Sequence, residues 1–172
     1  MPARLVWNVV SGRLKRLPMP RLRSGIPKLA ASLSEHGLLA AAEAIRTTDT
    51  FAKISSRKIR LSGQSVTVAG IAKGSGMIEP NMATMLSFLL TDASVSPAYL
   101  RGVLRRVVDC TFNRVSVDGE GSTSDSVMVL AGGAAKNPRL THRRGADAEA
   151  FEHAVGEVAE ELAQALARDG EG

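Results

Sequence analysis

Lys58-Ile59-Arg60-Leu61-Ser62-Gly63-Gln64-Ser65-Val66-Thr67-Val68-Ala69-Gly70-Ile71 is the stretch that decides the fold class. Ile59 and Leu61 alternate with charged residues, Val66 and Val68 alternate again, and Ser62-Gly63-Gln64 stands between the two runs. A period of two marks a strand with one buried face, and a short Gly-containing break between two such runs closes a hairpin. Downstream, Ala72 to Asn81 reads as a Gly-punctuated loop, and Thr84 to Leu90 as a compact apolar run that fits a buried strand. Farther on, Asn113 to Val117 and Ser126 to Leu130 read as two more strands joined by a polar Gly/Ser/Thr-rich turn, with Gly132-Gly133 ending the second.

Helical periods flank these strands. Leu22, Ile26, Leu29 and Leu33, then Leu38, Leu39, Ala42 and Ile45, suggest two short amphipathic helices broken at His36-Gly37, with Pro27 tolerable in a first turn. Beyond Ser96-Pro97, Leu100, Val103, Leu104, Val107 and Val108 fit a helix whose polar face carries Arg101, Arg105 and Arg106, read as a solvated face. From Ala148 to Ala167, Phe151, Val155, Val158, Leu162 and Leu166 mark another helix with Glu on its outer side. The expected architecture is therefore α/β in the layered, α+β sense: a sheet with helices packed on it. No repeat, long linker or low-complexity tract marks a domain boundary in 1–172, which reads as a single domain.

Composition narrows the function. The 172 residues are 44% hydrophobic, enough for one domain with a real core. Aromatics are only 3%, which argues against a base-stacking platform for single-stranded nucleic acid. The net charge of +5 is local: Met1 to Lys28 holds seven bases and no acid, whereas Asp147 to Glu171 carries eight acids against Arg168 alone. Nucleic-acid binding through the basic arm would rest on charge alone, and no nucleic-acid partner is expected. No apolar run approaches the roughly 18 to 20 residues of a membrane helix. The first residues do not make a secretory signal, so a cytoplasmic protein is expected. Single Cys110 allows no internal disulfide, and the scattered His36, His142 and His153 form no metal-ligand cluster. Cys110 follows a helical stretch and reads as a small buried hydrophobe.

The most unusual segment is Lys73-Gly74-Ser75-Gly76-Met77-Ile78-Glu79-Pro80-Asn81-Met82-Ala83-Thr84-Met85-Leu86. It lacks the residue order of a phosphate-binding P-loop. It resembles, position after position, the cleavage-site signature of the ornithine acetyltransferase family of arginine biosynthesis. Ala44-Ile45-Arg46-Thr47-Thr48-Asp49-Thr50 together with Lys53, Asn113 to Gly119 continuing through Ser122-Thr123-Ser124-Asp125, and the terminal Asp169-Gly170-Glu171-Gly172 agree with the family in the same order. The resemblance runs from about Leu17 to the end. It implies that the chain is the central part of the autoprocessing fold of that family.

The resemblance further implies that the protein cuts its own bond between Ala83 and Thr84, giving 1–83 and 84–172, with Thr84 as the new N-terminal nucleophile. The two cleaved chains would stay associated as a hetero-oligomer. Such enzymes move an acetyl group from N-acetylornithine to glutamate through an acetyl-threonine. Some also use acetyl-CoA, and the residues here do not separate the two activities. No cofactor is expected. By the same resemblance Thr47, Lys73 and Thr84 match substrate-binding positions, and Glu171 matches the glutamate that contacts the substrate's charged amine. Physically, Lys73 offers a point charge for a carboxylate, Thr47 a hydroxyl, and Glu171 an anion for an ammonium group.

Two features depart from the family pattern. Its Thr-Gly oxyanion donors precede a Leu-Pro-Met segment, here Leu17-Pro18-Met19; Ser11-Gly12 align with that pair only across a gap, and Glu120-Gly121 stand where Asp-Thr is usual. Asp118, Glu120 and Asp125 lack the spacing of a calcium loop and read as a structural turn. Family members are also more than twice as long. An acyltransferase with Thr84 as nucleophile is one reading; a truncated, inactive fragment that acts at most as a partner-dependent subunit is the alternative.

Overall fold

The computed structural model describes residues 7–10, 13–16, 18–75, 85–116 and 124–170, with side chains described from 18 onward. Contacts group the chain into two units, 1–37 and 38–172. In the first, strands β1 (Trp7–Val10) and β2 (Arg13–Arg16) pair antiparallel, and helix α1 (Met19–Ala31) follows. Pro27 lies inside α1 and not in its first turn, and no residue of α1 is buried.

The second unit is an α+β layer structure. Helix α2 (Leu38–Ala44) leads into β3 (Lys53–Leu61) and β4 (Gln64–Lys73), which form the expected hairpin. Its two-residue turn places both Ser62 (φ 47°) and Gly63 (φ 84°) in the left-handed region, the backbone twist that matches two right-twisted strands. The alternation reaches farther than Lys58–Ile71: pairing runs from Leu61↔Gln64 to Lys53↔Ala72. Strand β5 (Leu86–Thr91) adds antiparallel to β4, and β6 (Ser126–Ala131) adds parallel to β5, giving the order β3-β4-β5-β6. A parallel pair needs a crossover, and helix α3 (Pro97–Cys110) supplies it. Ser96 caps α3 by accepting the Tyr99 N–H, and Pro97 occupies the start of the helix, where no amide donor is needed.

Helix α4 (Ala146–Arg168) packs on one sheet face. Its buried residues, Ala148, Phe151, Ala154, Val155, Val158, Ala159, Leu162, Ala163 and Leu166, follow a helical stripe and meet Leu61, Val66, Val68 and Leu89. Gly70 is where helix and sheet approach most closely: a Cβ there would lie 2.8 Å from Leu162 Cδ1, 2.9 Å from Leu89 Cδ2 and 3.0 Å from Val158 Cγ1. Gly70→Val is therefore expected to destabilise the fold by about 1–3 kcal/mol, read as a lower urea midpoint with unchanged slope.

Three local expectations fail. The segment from Asn113 is no strand: Phe112–Arg114 forms a 3-10 turn. There Thr111 donates its hydroxyl to Val107 O, Asn113 donates to Asp109, and Phe112 is buried. Such local bonds compete with a strand ladder. Cys110 is exposed. It continues the stripe of Tyr99, Val103 and Val107, but as the last residue of α3, and the next buried apolar side chain is Phe112. Arg106 is more than solvated surface, since its guanidinium donates twice to Glu152 of α4, at 2.6 and 2.7 Å.

Candidate active site

Strand β4 ends at Lys73, opposite Leu86 of β5, and the chain between these partners carries the unusual segment. Ser75 and Met85 bracket residues 76–84. Gly74 has φ 144°, and a Cβ on it would lie 3.5 Å from Met85 Cα, so the outgoing and returning chain are close neighbours. Met85, which follows Thr84 in sequence, is fixed by two hydrogen bonds: its N–H donates to Asp125 Oδ1 at 2.9 Å, and its carbonyl accepts the Ser126 N–H at 3.0 Å. Asp125 thus anchors the start of β5. Within the segment read as a structural turn, only 124 and 125 are described.

The loop between α2 and β3 folds over the end of β4. Arg46 organises it by donating to the carbonyls of Asp49 and Thr50 while pairing with Glu43 at 2.6 Å. Thr48 Oγ1 and Ser75 Oγ share a hydrogen bond of 2.6 Å, and Ser75 is buried. Lys73 Nζ lies 3.5 Å from Thr47 Oγ1, so two residues 26 positions apart in sequence meet here. Lys73 is only 7% exposed, and among the described residues no carboxylate pairs with it. A buried ammonium without a carboxylate partner favours an anion beside it.

Beneath this pair lies a buried ionic cluster that sequence reading did not single out. Lys53 Nζ donates to Asp49 Oδ1 at 2.7 Å and to Asp169 Oδ2, with all three side chains at most 2% exposed. Asp49 also accepts the Gly74 N–H at 2.6 Å and the Thr47 N–H at 3.1 Å. Asp169, just past the end of α4, accepts the N–H and hydroxyl of Thr50. The signals were faint: Asp49 and Lys53 stand four apart in one resembling segment, and Asp169 opens another 116 residues beyond Lys53.

Burial pushes the Asp49 carboxyl up, but hydrogen bonds from Gly74, Lys53 and Thr47 outweigh it and hold its pKa below the ordinary value. At Asp169 burial is likewise outweighed by Lys53 and Thr50, with the same net direction. Folded-state values below the unfolded ones mean that this stabilisation is fully present above the unfolded pKa of about 3.9 and is lost as pH falls through the folded values. Acid unfolding followed by circular dichroism should therefore begin below about pH 4. Asp49→Asn should flatten the pH dependence of stability in that window.

Of the expected site residues, Thr47 and Lys73 are brought together. Ser11, Gly12, Ala83, Thr84 and Glu171 lie outside the described residues, although Glu171 follows the anchored Asp169 by two positions. Among the described residues no group of His, Cys, Asp and Glu could hold a metal ion, and no helix is long and apolar enough to cross a membrane.

The model of the ArgJ family matches residues 11–172. The arginine biosynthesis bifunctional protein ArgJ of Symbiobacterium thermophilum is 51% identical over 156 residues, 91% of this chain and 39% of that protein. Its counterpart from Synechococcus sp. is 49% identical over 158 residues, 92% of this chain and 38% of that protein. This chain thus spans about two-fifths of the length of these relatives. A crystal structure of the ArgJ protein from Bacillus halodurans is 41% identical, with a TM-score of 0.48 over 54% of this chain and 41% of that one.

Proposed function

The chain belongs to the ArgJ family, and on that premise we propose that it is an autoprocessing acyltransferase of arginine biosynthesis that moves an acetyl group from N-acetylornithine to glutamate. The observation that carries this reading is the pairing of buried Lys73 with Thr47 at the root of the segment bearing Ala83-Thr84. Both substrates carry an α-carboxylate, so one ammonium with a neighbouring hydroxyl can receive each in turn.

In the precursor the Thr84 hydroxyl attacks the carbonyl carbon of Ala83. The C–N bond breaks, an ester forms, and water hydrolyses it to an Ala83 carboxylate and a free Thr84 amine. The chains 1–83 and 84–172 stay associated. That amine, with an ordinary pKa of about 7.7–8.0, is partly neutral near pH 7 and takes the proton of its own hydroxyl. The alkoxide attacks the acetyl carbon of N-acetylornithine, and ornithine leaves with a proton. Glutamate's amine then attacks the acetyl-threonine, regenerating the hydroxyl. By the family resemblance Ser11 and Gly12 would be the oxyanion donors, and Glu171 would contact the ornithine side-chain ammonium. Acetyl-CoA is a second acetyl donor compatible with the same nucleophile, no cofactor is needed, and the cytoplasm is the expected compartment.

The mass of the purified protein after incubation tests this. Two chains split between Ala83 and Thr84 support the reading, and an intact 18.1 kDa chain contradicts it. Cleavage without acetyl exchange would instead favour a partner-dependent subunit.

A further inference from the structure

We propose that Lys53 is a positioning residue: its buried ammonium, held between Asp49 and Asp169, locks three separate chain segments into the arrangement that makes the substrate site. The role rests on the proposed function, since it concerns how Thr47 and Lys73 are presented to the substrate. Lys53 itself is fully buried, reaches no solvent, and so touches no substrate.

From Lys53 one bond leads to Asp49 Oδ1, which also receives the Gly74 N–H, adjacent to Lys73. The other oxygen of the same carboxylate receives the N–H of Thr47, whose hydroxyl faces Lys73 Nζ. A second bond leads to Asp169, which ties down Thr50 and fixes the chain two residues before Glu171. The loop 47–50, the end of β4 and the end of α4 come from distant parts of the chain and meet through this one ammonium. The Phe51 ring also lies against this ammonium, its centroid 4.8 Å from Nζ. Without Lys53, two carboxylates would face each other across a buried gap, and the loop would separate from the helix end. Every polar side-chain atom buried among the described residues has a partner, so the cluster is a closed network and not a vacant binding site.

Lys53→Met and the milder Asp169→Asn, which keeps one acceptor oxygen for Thr50 and loses the anion beside Lys53, test the role in the full chain. Arg57→Met serves as the control, because Arg57 joins the same strand to the same helix through Glu161 without touching the site. Amide hydrogen exchange should rise more than tenfold at Thr47, Thr50 and Gly74 in both variants, while 64–71 and 151–166 keep their protection. The dissociation constant for N-acetylornithine, measured calorimetrically, should rise about tenfold in Asp169→Asn and stay unchanged in Arg57→Met. Unchanged exchange at Thr47 and Gly74, or a uniform rise over the whole sheet, would overturn the proposal, as would equal loss of affinity in the control. A parent chain that binds no N-acetylornithine contradicts the proposed function, and the exchange pattern then decides the network by itself. If Lys53→Met does not fold, Asp169→Asn carries the decision.

Discussion

Thr84→Ala is expected to leave the purified chain as one 18.1 kDa species and to reduce acetyl exchange to background. The proposed cleavage has a single intramolecular nucleophile, the hydroxyl on the β-carbon of the same residue whose peptide nitrogen it displaces, and alanine removes it. The same atom carries the acetyl group afterwards, so the loss extends to turnover. Removing the nucleophile of a hydrolytic triad costs on the order of a million-fold in kcat, and an effect of that order is expected here. Thr84→Ser keeps the oxygen and should still cleave, so the pair of variants separates the hydroxyl from the methyl group. Cleavage of Thr84→Ala between residues 83 and 84 would remove Thr84 from the mechanism.

Lys73→Met is expected to weaken binding of both N-acetylornithine and glutamate by about 10 to 150-fold, equivalent to the roughly 1.5–3 kcal/mol of a hydrogen bond to a charged group. Methionine preserves the length and apolar stem of the side chain and removes only the ammonium. The losses should be similar for the two ligands because the α-carboxylate is what they share. The fold should not suffer. Replacing a buried cation that has no carboxylate partner among the described residues by an apolar group relieves its desolvation, so the urea midpoint should hold or rise. Calorimetric titration beside urea unfolding checks both halves; undiminished affinity would remove Lys73 from the site.

What the sequence disclosed and what it concealed divides by the range of the interactions. The β3–β4 hairpin was legible because strict alternation and the Ser62-Gly63 turn are local signals, and α4 because its apolar stripe is repeated over 23 residues. Resemblance singled out Thr47 and Lys73, and the antiparallel register of β4 together with the loop at 46–50 brings them within 3.5 Å. Asp49, Lys53 and Asp169 were harder to see. A lone Asp or Lys is by default a solvated residue, and only tertiary packing brings Asp169 onto Lys53 across 116 positions. The strand expected from Asn113 failed for the opposite reason: its apolar pattern was sound, but Thr111 and Asn113 satisfied nearby backbone and side-chain groups locally. Asp125, read as part of a turn, supplies the acceptor that holds Met85 at the start of β5, next in sequence to the proposed nucleophile.

The central claim is that Thr84 carries the acetyl group between two amino acids held by the same carboxylate site. Its most direct measurement is the mass of the peptide beginning at Thr84 after the self-cleaved protein is mixed with N-acetylornithine in the absence of glutamate. The account predicts one added acetyl group on that peptide, borne by the Thr84 side chain and lost when glutamate is supplied. A cleaved protein that acquires no acetyl group there, or acquires it at another residue, would contradict it.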